Sequence, residues 1–176
     1  MSPRPRVEIR PPVAADREPF LAAMRASRRL HGAWLPPMSE EFFARMLARV
    51  GDERYQPFLV CRRDDGAIAG FFNIGEIVRG PFQSAYLGYG AIADLAGQGY
   101  MREGMGLVLA HAFGPARLHR LGANIQPANA RSIALARSAG FVKEGYSARY
   151  LKVGGRWCDH ERWAIRAEQW RALRRA

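Results

Sequence analysis

The sequence has few of the residues that build metal centres, disulfide frameworks or membrane spans. Its 176 residues include two cysteines, Cys61 and Cys158, and neither belongs to a C-x-x-C motif or a Cys/His spacing. We therefore expect no metal site and no disulfide framework. No stretch approaches the ~20 apolar residues that cross a membrane, and the first residues form no apolar signal segment. A cytoplasmic protein without membrane contact is expected.

Lysine is also scarce, because only Lys143 and Lys152 occur among the 27 basic residues. Against 16 acidic residues the formal net charge is +11. Clustered basic side chains bind phosphates by counterion release, so a weak association with RNA or the ribosome is one interpretation. The arginines are spread along the whole chain, however, and this distribution fits a general preference for arginine as well as it fits a binding surface.

The pattern of apolar residues and turns predicts a single mixed α/β domain over residues 1–176. Strands are predicted at 7–10, 58–62, 67–74, 84–92 and 120–125, with a final hairpin of 142–153 and 156–166 that turns at Gly154-Gly155. Helices are predicted at 16–29, 39–51, 101–113, 129–139 and 167–175. This order of elements predicts a mixed sheet with helices on both sides.

A strand, a glycine-bearing turn and a helix start follow one another around Gly97 and Gly99. Helix starts leave N–H groups unpaired at the positive end of the helix dipole, and glycine lets a phosphate approach the main chain. We expect this turn to hold a diphosphate. A nucleotide P-loop would need Gly-Lys-Ser/Thr, and a dinucleotide fingerprint would need a glycine where Arg102 stands. The sequence disfavours both of those classes.

Three short blocks carry a resemblance to a known superfamily. Gly97-Gln98-Gly99-Tyr100, Asn129-Ala-Arg-Ser132 and Ala139-Gly140-Phe141 resemble the acyl-CoA-binding core of the GCN5-related N-acetyltransferases (GNAT). Val78-Arg79-Gly80, Tyr86-Leu-Gly-Tyr89, Gly145-Tyr146, Tyr150-Leu151 and Gly155-Arg-Trp157-x-Asp159-His160 most resemble the ribosomal-protein-alanine N-terminal acetyltransferases of the RimJ/RimL branch. The likeness covers about residues 67–166 well and the first 60 residues loosely.

The resemblance implies an acyl-CoA N-acyltransferase (GNAT) fold. This is one α/β domain with a central mixed, mostly antiparallel sheet that splays between its fourth and fifth strands, and its acetyl-CoA-binding core covers about residues 84–141. The implied cofactor is acetyl-CoA. The residues expected to bind it are Tyr89, Gly90, Ala91, Gly97, Gln98, Gly99, Tyr100, Met101, Arg102 and Asn129. Asn129 could also act as a plain helix cap, and a main-chain N–H near Ala91 or Ile92 is expected to hold the thioester oxygen.

The resemblance also suggests catalytic residues. Ser132 is implied to donate a proton or a hydrogen bond to the departing thiolate, although an exposed helix position would suit a serine equally well. Many relatives carry a glutamate base where Asn124 stands and a tyrosine acid where Ala136 stands, so both groups are missing here. Asp159 and His160 remain as candidates that orient or deprotonate the amine. Because they are adjacent on a strand, at most one of them faces the cleft.

The absence of a strong base bears on the acceptor. An α-amine of pKa near 8 is roughly one-tenth neutral at pH 7, whereas a lysine amine of pKa about 10.4 is neutral less than about one time in a thousand. With the resemblance, this favours the N-terminal α-amine of a ribosomal protein that begins with alanine or serine as the acceptor. The residues expected to border its groove are Trp34, Phe82, Tyr146 and Trp157, although Trp34 would also suit the core.

Two other functions remain open at this point. An acetyltransferase for a small amine, such as an antibiotic or a polyamine, would need an enclosed acidic pocket. A non-catalytic module could keep the fold and bind acyl-CoA or RNA through its arginines. The expected assembly is a monomer or a homodimer.

Overall fold

One seven-stranded sheet forms the centre of the protein, whose computed structural model describes residues 4–175. Residues 1–3 and 176 of the predicted domain lie outside the described residues. The strand order is β1-β2-β3-β4-β5-β7-β6. The strands are β1 (Val7–Arg10), β2 (Gln56–Arg62), β3 (Ile68–Val78), β4 (Ser84–Ala91), β5 (Arg120–Ile125), β6 (Val142–Val153) and β7 (Arg156–Arg166). Among these seven described strands, β4 and β5 pair in parallel and the other neighbours pair antiparallel, which confirms the expected mixed and mostly antiparallel sheet.

Helices cover both faces of the sheet. They are α1 (Arg17–Ala26), α2 (Arg28–His31), α3 (Glu40–Ala48), α4 (Tyr100–Phe113), α5 (Ala130–Ser138) and α6 (Ala167–Leu173). Phe20, Phe43 and Met46 of α1 and α3 pack against Leu59 and Phe71, on what we call the α1 face. Among residues 4–175, none of the helices has the length and apolar character that crossing a membrane requires.

The opposite side of the sheet, called here the α4 face, carries the larger core. Met105, Val108 and Leu109 of α4 are fully buried there with Phe72 and Leu121 of the strands. Adjacent strand residues such as Phe71 and Phe72 therefore serve different cores, because successive side chains of a strand point to opposite faces. This alternation decides on which side of the sheet each candidate residue lies.

The prediction of one continuous helix over residues 16–29 is wrong, because two helices, α1 and α2, occupy this segment. Asp16 does not cap it, because the carboxylate is bound by the Arg10 guanidinium at 2.6 and 2.7 Å and by the Val13 N–H at 2.8 Å. The helix ends at Ala26, and Ser27 separates α1 from α2. The Ser27 hydroxyl donates to the Ala23 carbonyl at 2.7 Å and accepts from the Ala93 N–H at 2.9 Å. This long-range bond turns the chain towards the end of β4.

The expected divergence of β4 and β5 is present. The two strands pair only at Ser84–Arg120, Ala85–Leu121 and Tyr86–Gly122. Residues 87–91 of β4 and 123–125 of β5 continue without pairing to each other. A gap therefore opens between the strands at the end that leads into α4 and α5.

Candidate active site

Main-chain groups of β4 line one side of this gap. The Ile92 N–H donates to the Ala69 carbonyl of the neighbouring strand β3 at 2.9 Å. Residues of an antiparallel pair alternate between those that bond to the partner strand and those that point away from it. Ala91 and Tyr89 therefore direct their N–H and C=O groups into the gap. Of the two amides expected near a thioester oxygen, Ile92 is already bonded and Ala91 is directed into the gap.

The glycine turn before α4 presents a run of unpaired main-chain donors. Gly97 and Gly99 have φ values of +78° and +87°, and a Cβ built on Gly97 would meet no atom within 4 Å. The first helical bond runs from the Glu103 N–H to the Gly99 carbonyl at 3.0 Å. Within residues 4–175, the N–H groups of 97–102 donate to no protein atom. A nest of this kind fits the negatively charged oxygens of a diphosphate.

An arginine from the other end of the chain holds this turn in place. Arg6 Nη2 donates to the Gln98 carbonyl at 2.8 Å, and Arg6 Nε donates to Glu103 at 2.7 Å. The guanidinium also lies 4.6 Å from the ring centre of Tyr100. Sequence reasoning missed Arg6, because nothing in the residues around the first strand indicates that it reaches position 98.

Several predicted cofactor residues can contribute only their main chain. Tyr100 is 8% exposed, beneath Arg6, and the Met101 side chain packs against Gly70 of β3. Gly90 lies under Leu35, because a Cβ at that position would come within 2.9 Å of the leucine. Arg102 is exposed at the start of α4, where its charge is available to a bound anion.

Two hydroxyl groups meet beside the gap on the α4 face. Asn129 caps α5 by accepting from the Ser132 N–H at 3.2 Å, and the Ser132 hydroxyl lies 2.7 Å from the hydroxyl of Tyr89. Burial raises the pKa of Tyr89 to about 12, although its bond to Ser132 acts in the opposite direction. Tyr89 therefore remains a protonated partner of Ser132 at neutral pH. The sequence predicted a role for Tyr89 in cofactor binding but not this contact.

The α1 face of the gap is covered by α2 and the loop that follows it. His31 Nε2 lies 2.8 Å from the Ala91 carbonyl oxygen, and the Gln126 side chain donates to the Ala33 carbonyl at 3.4 Å. Trp34 is half-buried in this loop. The structure thus places Trp34 in the loop that joins α2 to Gln126 across the gap. It adds His31, which sequence reasoning overlooked because its helix is only four residues long.

The adjacent residues Asp159 and His160 lie on opposite faces of β7. His160 is 3% exposed and shares the α1 face with Asn124 and Arg162, which are paired across β5 and β7. Asp159 points to the other face and accepts bonds from the Tyr146 hydroxyl and from the Arg149 N–H. The Tyr146 bond, followed by the Arg149 bond, lowers the pKa of Asp159, so this carboxylate is a weak base.

Two of the predicted acceptor-binding residues lie away from the gap. Phe82 is 69% exposed and precedes β4, at the end of the strand opposite Ala91. Trp157 is 61% exposed near the hairpin tip. Tyr146 is bonded to Asp159 on the α4 face. Of the four aromatic residues, Trp34 lies next to His31, to whose carbonyl its N–H donates at 2.9 Å.

Comparisons with known proteins agree with this architecture. The sequence profile of the acetyltransferase (GNAT) domain family matches residues 6–142. The chain is 36% identical over 114 residues to the probable N-acetyltransferase YjcK of Bacillus subtilis, covering 65% of this chain and 62% of the relative. It is 36% identical over 107 residues to the [Ribosomal protein uS5]-alanine N-acetyltransferase of Escherichia coli, covering 61% of this chain and 55% of the relative. The chain thus spans less than two thirds of the length of either relative.

Solved structures match over most of the chain. Mycobacterium smegmatis RimJ in complex with CoA-disulfide superposes with a TM-score of 0.82 at 28% identity, over 96% of this chain and 90% of that chain. The spermidine N-acetyltransferase of Vibrio cholerae in complex with CoA and spermine superposes with a TM-score of 0.79 at 20% identity, over 94% of this chain and 98% of that chain. The second match supports the fold alone.

Proposed function

Because the chain belongs to the GNAT acetyltransferase domain family, we propose that it transfers the acetyl group of acetyl-CoA to the N-terminal α-amine of a protein. The acceptor we propose is a cytoplasmic ribosomal protein that begins with alanine or serine. One observation carries the proposal: the gap between β4 and β5 opens beside the run of unpaired N–H groups at 97–102.

Acetyl-CoA would supply the reactive thioester, and the residues of the chain fit it. The N–H groups of residues 97–102 would hold the diphosphate, with Arg102 nearby. The outward main-chain groups of Tyr89 would bond the pantetheine amides in the manner of an added strand. The Ala91 N–H would hold the thioester oxygen and stabilise the charge that develops on it.

Ser132 would supply a proton or a hydrogen bond to the departing thiolate. Its hydroxyl lies on the α4 face of the gap, 2.7 Å from Tyr89, which keeps it oriented. Asn129 fixes the start of the same helix. A thiol of ordinary pKa near 8.5 is a good leaving group, so a single hydroxyl suffices for this step.

The charges on the α1 face favour a protein acceptor over a polyamine. Arg162 lies on this face beside Asn124, and Arg120 lies on the same side of β5. The carboxylate of Glu144 is bound by Arg120, while Asp159 points to the other face. A polycation would need several unpaired carboxylates near the gap, whereas the carboxylate that follows β4 is the single side chain of Asp94. The E. coli relative, whose name specifies a ribosomal-protein alanine as acceptor, supports the same choice.

A weak association with the ribosome belongs to this proposal. Arg25 is exposed on α1, and Arg28 and Arg29 are exposed on α2, the helix that covers the gap. Phosphates bound by these side chains would bring a ribosomal acceptor close to the site.

The test is a direct assay of acceptor choice. Peptides that begin with alanine or serine should release CoA from acetyl-CoA and gain one acetyl group at the α-amine by mass spectrometry. Matched controls are the same peptides with a blocked N-terminus and an internal lysine, and spermidine. Turnover of spermidine or of the lysine peptide, with none of the α-amine peptides, would contradict the proposal. Binding of acetyl-CoA without any turnover would favour the non-catalytic alternative.

A further inference from the structure

Helix α2 is fixed to the end of β4 by two buried polar side chains. Ser27, which is 0% exposed, bonds the Ala93 N–H, and His31, which is 8% exposed, bonds the Ala91 carbonyl. The two residues are four positions apart, so they lie on the same side of one helical turn. The second contact places an imidazole ring at the gap itself.

The ring lies beside the amide proposed to hold the thioester oxygen. In an extended strand, the N–H and C=O groups of one residue point to the same side. His31 is bonded to the Ala91 carbonyl, so it lies next to the Ala91 N–H on the same edge of β4. Any carbonyl group that accepts from that N–H has the imidazole as its neighbour.

The contact also determines which nitrogen can take a proton. A carbonyl oxygen only accepts, so Nε2 of His31 must carry the hydrogen. In the neutral ring, Nδ1 then holds a free lone pair. Within residues 4–175, Asn73 Oδ1 is the single side-chain oxygen or nitrogen that is both fully buried and without a partner. Nδ1 of His31 makes no bond to a described residue, so it retains contact with solvent.

We propose that His31 is the general base of the acetyl transfer, an inference that rests on the proposed function. The amine nitrogen bonds to the carbonyl carbon of the thioester, and the carbon–sulfur bond breaks. The nitrogen gives one proton to Nδ1 of His31 on the α1 face. The sulfur leaves with a proton supplied through Ser132 on the α4 face. Solvent then removes the proton from His31 and returns one to Ser132.

The surroundings of His31 favour this role over the alternative, His160. His160 lies on β7, two strands from β4 and therefore about 10 Å away. Its Nδ1 donates to the Cys158 carbonyl at 2.9 Å, which leaves a lone pair on Nε2, so distance from the Ala91 N–H and not the tautomer separates the two rings. The charged and titratable groups on the elements next to His31 are Arg28 and Arg29 on α2 and Asp94 after β4, with Arg162 and His160 farther away on β7. No carboxylate bonds the ring of His31 within residues 4–175.

The decisive variant is His31→Gln. Glutamine keeps an N–H that can donate to the Ala91 carbonyl, but it cannot accept a proton at neutral pH. We expect kcat for an alanine-starting peptide to fall about 100-fold, the usual contribution of a general base. The Kd for acetyl-CoA by calorimetry should stay within about threefold, a change of less than about 0.7 kcal/mol. The pH dependence of kcat should also change in this variant, because the group proposed to accept the proton is gone.

Two matched variants distinguish a role of His31 as the base from a role that only holds helix α2 in place. Ser27→Ala removes the other contact between the same helix and β4, and it should lower the melting temperature while the pH dependence of kcat keeps its shape. His160→Gln should also keep that pH dependence. Loss of the pH dependence in His160→Gln and its retention in His31→Gln would assign the base to His160. An unchanged kcat in His31→Gln would likewise overturn the proposal.

A measurement without turnover separates this inference from the proposed function. Nitrogen-15 NMR of the histidine rings should show His31 in the Nε2–H tautomer when neutral. An Nδ1–H tautomer would refute the inference even if the enzyme acetylates peptides rapidly. A wild-type protein with the expected tautomer that acetylates no α-amine would instead refute the proposed function, and the base assignment would fall with it.

Discussion

Gly97 is the residue at which the phosphate cradle can be tested most directly. Its φ of +78° is accessible to asparagine and aspartate more readily than to other side chains, and a Cβ there meets open space. Gly97→Asp should place a carboxylate before the unpaired N–H groups and raise the Kd for acetyl-CoA at least tenfold, or about 1.4 kcal/mol. Gly97→Asn has the same shape without the charge and should bind much more tightly than the aspartate variant. Equal Kd values by calorimetry would place the diphosphate elsewhere.

The hydroxyl pair of Ser132 and Tyr89 gives a second prediction at this scale. Ser132→Ala should lower kcat about 10- to 100-fold with little change in KM, because its hydroxyl acts on the leaving group. Tyr89→Phe should have a smaller effect, and the double variant should be no slower than Ser132→Ala, since the two side chains act in contact.

Burial raises the pKa of Tyr89 to about 12. The pH profiles of kcat for the wild type and for Tyr89→Phe should therefore have the same shape up to pH 10. Steady-state kinetics of the three variants decide the matter, and full additivity would contradict the pairing.

At the scale of whole elements, Arg6 joins the start of β1 to the start of α4. Arg6→Ala removes the bonds to Gln98 and Glu103 and should raise the Kd for acetyl-CoA about three- to tenfold by loosening the turn. Arg62→Ala is the matched control, because Arg62 lies 5.5 Å from the same Tyr100 ring and makes no bond to residues 97–103. Equal effects of the two substitutions would mean that general charge, and not the held turn, sets the affinity.

Elements whose signals are local could be predicted from the sequence. Strand β5 has the predicted bounds, Asn129 caps α5 as expected, and Ser39 caps α3 by accepting from the Phe42 N–H. Each signal comes from alternation or from a side chain a few residues away. The hairpin also turns at Gly154-Gly155, since glycine suits the positive φ values found there.

The features that could not be predicted depend on distant partners. The break at Ser27 follows from its bond to the Ala93 N–H, 66 positions along the chain. Arg6 and Gln98 are 92 positions apart, and His31 and Ala91 are separated by 60. No periodicity or capping signal carries such information. The family motifs predicted a cofactor-binding turn at residues 97–102, while the residues on the α1 face required the fold.

For the molecule as a whole, Asp16 links stability to pH. The hydrogen-bonded Arg10, and then the Val13 N–H, lower the pKa of this mostly buried carboxyl below its ordinary value of 3.8. A depressed folded-state pKa contributes stability that is present above the unfolded value and lost as pH falls below it. Asp16→Asn should therefore cost about 2 kcal/mol of unfolding free energy at pH 7, and the difference should shrink as pH falls from about 4 to 2.

Chemical denaturation at several pH values measures this difference. Asp64→Asn is a suitable control, because Asp64 is exposed and its bond to Arg62 is a surface ion pair that should matter little. A difference in unfolding free energy between wild type and Asp16→Asn that stays constant from pH 7 to pH 2 would show that the contact stabilises through shape and not through charge.

The short parallel seam has a further consequence. Three residue pairs join a four-stranded half-sheet to a three-stranded one, so the seam is the weakest line in the hydrogen-bonded ladder. A pantetheine arm bonded to Tyr89 would supply hydrogen bonds that the two strands do not make to each other. The bound cofactor would then connect the two half-sheets. Amide exchange along β4 and β5 should accordingly slow together when acetyl-CoA is bound.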